Sequence, residues 1–72
     1  MDAYKLRLLA ELEGVSVDDM LANATYDSVA LGICVNDGCD YTTEVEPDQR
    51  EGYCENCQTG TVKSCLVLAG IM

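Results

Sequence analysis

Five cysteines stand in a chain of 72 residues that has no histidine. Four of them form two short pairs: Cys34 and Cys39 enclose Val-Asn-Asp-Gly, and Cys54 and Cys57 enclose Glu-Asn. A 14-residue gap, Asp40 to Tyr53, separates the pairs, and Cys65 stands alone. Two thiol pairs on tight turns, brought together by the chain between them, are what a tetrahedral four-sulfur zinc site needs. Gly38 before Cys39 supplies a positive φ angle without a Cβ clash, and Asn56 before Cys57 tolerates the left-handed region better than most residues. The expected ligands are Cys34, Cys39, Cys54 and Cys57, and the expected ion is Zn2+.

Three other uses of these thiols compete with zinc. Disulfides suit secreted miniproteins, but an odd cysteine count leaves one thiol unpaired in any monomeric scheme. The N-terminal run MDAYKLRLLAELEG is interrupted by Lys5, Arg7, Glu11 and Glu13, so it reads as neither a signal sequence nor a membrane span. A cytoplasmic protein with no membrane segment is expected. Iron is held by four thiolates too. A redox dithiol at Cys54 and Cys57 would need a helix N-terminus in a larger α/β sheet, for which the chain has too few strands.

Four thiolates close the metal's shell, which leaves no open position for water, and no histidine is present to act as a base. The zinc is therefore expected to be structural and the protein not an enzyme. Asp40, Tyr53 and Glu55 flank the pairs and are read as surface or core-edge residues. Cys65, in the apolar run SCLVL, is read as a packed thiol and not a ligand.

A staple is needed because the chain is small. There is no Trp and no Phe, and the four aromatic residues are all Tyr. Chain entropy of roughly 1.5 kcal/mol per residue is hard to offset with so thin a core. Zinc binding, on the order of 10–16 kcal/mol in small fingers, is large enough to make up the difference.

Two regions must position the thiols. Residues 1–26 read as a helical hairpin and 27–72 as a β unit carrying the cysteines, packed as one domain. Tyr4, Leu8, Leu9 and Leu12 fall at helical spacing, with Asp2 as a candidate N-cap and Gly14 as a stop, giving a helix over 3–13. Ser16 caps a second helix over 17–24, with Asp19 completing the capping pattern and Val15 and Met20 placed to form a hydrophobic staple. The turn Ala10 to Ser16 resembles that of DNA-binding helix-turn-helix proteins. The second helix, however, begins Val17-Asp18-Asp19, which would set two carboxylates against phosphate, and no third helix is expected to follow. Beyond residue 28 the period changes. Val29 to Ile33 lead into the first pair; Tyr41, Thr43 and Val45 alternate with Thr42, Glu44 and Glu46; Pro47 to Gly52 form a polar turn; and TVKSCLVL reads as a last strand.

Residues 30–68 resemble a zinc ribbon, with two knuckles each flanked by strands. The chain after Cys57, Gln58 to Val62, is a poor helix start, which separates it from a treble-clef finger. The resemblance implies ligand roles for Cys34, Cys39, Cys54 and Cys57. The chain departs from the usual ribbon in its first pair, which is C-x4-C where C-x2-C is commoner. The run NDGCDYTTEVEPDQ and the tail VLAG are similar to small bacterial and phage proteins of no established activity. The fold class expected is a small metal-stapled α+β domain.

Thirteen acids face four bases, a formal net charge of −9. That field repels phosphate, and Lys5, Arg7, Arg50 and Lys63 do not cluster in sequence. The expected partner is another protein, with the chain acting as an adaptor or inhibitor through its acidic surface or its apolar tail, Leu66 to Met72. A nucleic-acid-linked regulator is the alternative, and would need the four bases to converge in space.

Overall fold

The computed structural model describes residues 3–72. The candidate cap Asp2 lies outside them. Helix α1 spans Ala3–Glu13 and α2 spans Val17–Tyr26, followed by β1 (Ala30–Cys34), β2 (Thr42–Val45), β3 (Gly52–Cys54), β4 (Thr59–Ser64) and a short helix α3 (Cys65–Leu68). The chain is thus an α+β fold with two N-terminal helices and a four-stranded antiparallel sheet.

The first two helices end and begin as their sequences dictate. Gly14, at φ +72°, stops α1. Its N–H bonds to the Glu11 carbonyl and that of Val15 to the Ala10 carbonyl, the two hydrogen bonds of a Schellman motif. The Ser16 hydroxyl accepts from the Asp19 N–H at 3.1 Å and caps α2. Which face of α1 is buried differs from expectation. Tyr4 and Leu12 are exposed, while Lys5, Leu6, Leu9 and Ala10 turn inward. The inward face is the apolar set Leu6, Leu9 and Ala10, and it takes in Lys5, whose ammonium group is held inside the protein.

The strands lie in the order β2-β1-β4-β3, all neighbours antiparallel. The last strand in sequence therefore occupies an inner position beside β1. Strand β1 separates two apolar clusters. Ile33 points to the helices and joins Leu6, Leu9, Met20, Leu66 and Leu68. Cys34, the next residue, points to the other side, where Cys54 and Val62 are buried against Tyr41 and Val45. Gly32 also faces that side. A Cβ there would lie 2.8 Å from Val45 Cγ2 and 3.1 Å from the Lys63 carbonyl, so only glycine lets the strands close.

The run SCLVL is not a strand. Strand β4 ends at Ser64, and Cys65 to Leu68 form α3, all four buried. The Ser64 hydroxyl accepts from the Val67 N–H at 3.1 Å and donates to the Pro47 carbonyl at 2.5 Å. Gly70, at φ +78°, closes α3 with a second Schellman motif, through Gly70 to Val67 and Ile71 to Leu66. A third helix thus does follow the first two, and it packs against both of them. It also removes most of the apolar tail from the surface: Leu66, Val67 and Leu68 are core residues, and only Ile71 and Met72 are exposed large apolar groups there.

Candidate metal centre

The first cysteine pair is carried by the turn between β1 and β2. The Cys39 N–H bonds to the Asn36 carbonyl at 3.2 Å, closing a β-turn in which Gly38 takes φ +77°. Glycine at the third position of such a turn is what positive φ requires. The ends of the loop are pinned by Cys34 N–H to the Tyr41 carbonyl at 2.9 Å and Val35 N–H to the Thr61 carbonyl at 3.0 Å. The second pair sits between β3 and β4. There the Gln58 N–H bonds to the Cys54 carbonyl at 2.7 Å, and the Cys57 N–H points at Cys54 Sγ at 3.4 Å. The left-handed residue of this knuckle is Gln58, at φ 58°, and not Asn56. The chain must reverse after the second sulfur to enter β4, which places the strained position one residue past Cys57.

These two turns bring Cys34, Cys39, Cys54 and Cys57 together, with their Sγ atoms all within 4.8 Å of one another. Cys34 and Cys57 sulfurs are 3.9 Å apart, and Cys39 and Cys54 sulfurs 3.7 Å apart. A tetrahedron with metal–sulfur bonds of about 2.3 Å has edges of about 3.8 Å. The cluster thus fits one tetrahedral ion, and the observed separations are far longer than a disulfide bond of about 2.0 Å. All five cysteines are free thiols. Sulfur ligands in this arrangement suit zinc or iron.

Cys34 and Cys54 are buried, and Cys39 and Cys57 are half-buried. Burial works against ionisation of Cys34. Hydrogen bonds from the Thr61 hydroxyl, at 3.1 Å, and the Asn36 backbone, with the neighbouring thiols, outweigh it and lower the pKa to about 7. At Cys39 the Tyr41 backbone hydrogen bond favours the thiolate. Burial and the three adjacent sulfurs overcome it and push the pKa up to about 12. One thiolate in the cluster makes the next harder to form, and a bound cation reverses that relation. Thr61 in turn contacts the Thr59 hydroxyl at 3.0 Å and accepts from the Asn36 side chain at 3.5 Å.

Sequence reasoning missed one residue of this site. Lys5 is 2% exposed, and its ammonium group donates to the backbone carbonyls of Asn36, at 2.8 Å, and of Cys39. It fastens α1 to the first knuckle. A lysine on the inward face of a helix whose neighbours Leu6 and Leu9 are core residues is the signal that could have found it. Among the described residues, no buried side-chain nitrogen or oxygen lacks a hydrogen-bond partner.

Cys65 stands apart from this cluster. It is fully buried in the helical core, and burial raises its pKa. Asp40, Tyr53 and Glu55 are exposed and take no part in the sulfur cluster. Among the described residues, no helix is long and apolar enough to cross a membrane. Compared with protein-family models, curated proteins and solved structures, the chain matches none.

Proposed function

We propose that this protein is a small zinc-ribbon-like interaction module of the cytosol, an adaptor or inhibitor, in which Cys34, Cys39, Cys54 and Cys57 hold one structural zinc ion. The observation that carries this reading is the closed set of four sulfurs at tetrahedral spacing. Four thiolates leave no position for substrate and quench the ion's Lewis acidity, so the metal's work is to hold the fold. Free thiols at every cysteine fit a reducing compartment.

Charge supports a protein partner over nucleic acid. Lys5, one of only four bases, is buried on backbone carbonyls. That leaves Arg7, Arg50 and Lys63 against thirteen acids, too few to overcome phosphate repulsion.

The test is metal analysis followed by chelation. One zinc per chain is expected, with loss of the folded circular dichroism and of NMR dispersion once a strong chelator removes it. A chain that keeps its fold without metal would overturn the structural role. Sequence-selective DNA binding at physiological salt would overturn the choice of partner.

A further inference from the structure

Two grooves adjoin around the β2 edge of the sheet. The first, of about 270 Å³, lies between α2 and the β1–β2 edge. Its floor is apolar, with Met20, Ala30 and Leu31 below and the exposed Val15 and Val29 at its sides, and Glu13, Asp27 and Glu44 line it as well. The second is open and about 530 Å³, and it shares Val29 and Glu44 with the first. It adds Glu46, Glu51 and Glu55 beside the rings of Tyr41 and Tyr53. Among the described residues, neither lining includes a lysine or an arginine.

We infer that these joined grooves are a docking surface for a basic segment of a partner protein, an aliphatic side chain seated between Val15 and Val29 with flanking lysines or arginines along the glutamates. The inference rests on the interaction-module reading and gives its contact face. Charge complementarity names the occupant. The six carboxylates lining the two grooves attract cations from solution and repel both nucleic acid and a second copy of this chain, whose net charge is −9. The exposed Tyr53 ring offers a face for a guanidinium or ammonium group. A metal ion is a poor occupant. Among the described residues, the cysteines are the one set of three or more ligand-type side chains whose donor atoms converge, so the carboxylates act as a field and not as a chelate.

The experiment uses the zinc-loaded full chain and a short synthetic peptide with one leucine among lysines and arginines, titrated at physiological salt by fluorescence anisotropy, with NMR shift mapping. Binding should perturb Val15, Val29 and Glu44. Replacing the peptide's leucine by glycine at constant charge should weaken it. Glu44→Lys should weaken binding about tenfold, while Glu11→Lys, an equal change of charge outside both grooves, should alter it less than about twofold. Equal losses from both variants, shifts located elsewhere, or no binding would each overturn the proposal. Zinc content and circular dichroism of both variants should equal those of the parent. Failure of the groove is distinguishable from failure of the module reading. A protein partner from the host that binds Glu44→Lys as well as the parent overturns the groove alone, and binding to nucleic acid in place of protein overturns both.

Discussion

The Lys5 ammonium group of α1 donates to the backbone carbonyl of Asn36 at 2.8 Å, joining the first helix to the first cysteine turn across 31 positions of sequence. The same group reaches the Cys39 carbonyl. Docking of α1 and placement of the first cysteine turn are therefore coupled. Lys5→Met keeps most of the side-chain volume and removes the donor. It should destabilise the protein by about 2 kcal/mol, the scale of a hydrogen bond from a charged group. It should also weaken metal binding about tenfold, as loss of a group that orients a ligand does. Chemical denaturation and competition with a chromogenic chelator measure the two effects.

Thr61→Val should make the metal easier to displace by acid. Protons compete with the ion for sulfur, so release grows as pH falls. The Thr61 hydroxyl is among the hydrogen bonds that lower the Cys34 pKa to about 7. Without it the thiol holds its proton more tightly, and the pH of half-release should move upward. A zinc-sensitive dye followed through an acid titration reads that midpoint.

Cys65→Ala and Cys54→Ala should separate packing from ligation. Cys65 lies in the helical core, so its loss leaves a small cavity, about 1–2 kcal/mol, with metal content unchanged. Cys54→Ala removes one of the four clustered sulfurs and should abolish stoichiometric metal binding together with the cooperative fold. Metal analysis of the purified variants decides this.

Gly32→Ala should be destabilising by about 1–3 kcal/mol, because the added methyl meets Val45 and the Lys63 carbonyl at the middle of the sheet. Gly14→Ala meets nothing within 4 Å, and its penalty of about 1 kcal/mol comes from the positive φ alone. Thermal melts of the zinc-loaded variants should rank them in that order.

The helices were legible because their ends are written in side chains. Gly14 and Ser16 mark the turn between α1 and α2 with hydrogen bonds the sequence anticipates. The four ligand candidates were legible because spacing alone confines two sulfurs to each turn. The run SCLVL misled because a short apolar stretch fits a buried strand and a buried helix equally well. What decides it is Ser64 acting as a cap and Gly70 as a stop. The orientation of α1 was hidden for a related reason. Lys5 reads as a solvent residue until the carbonyls of Asn36 and Cys39, more than thirty positions away, are brought to it.

The strand order β2-β1-β4-β3 has a consequence for the life of the chain at the ribosome. The last of the four strands to be synthesised, β4, is the one that fills the gap between β1 and β3. Until Thr59 to Ser64 have emerged, a nascent chain can pair β1 only with β2, and β3 has no neighbour. Cys54 and Cys57 are then held beside Cys34 by nothing but a loop. Completion of the sheet, and with it the gathering of the four sulfurs, therefore waits for β4.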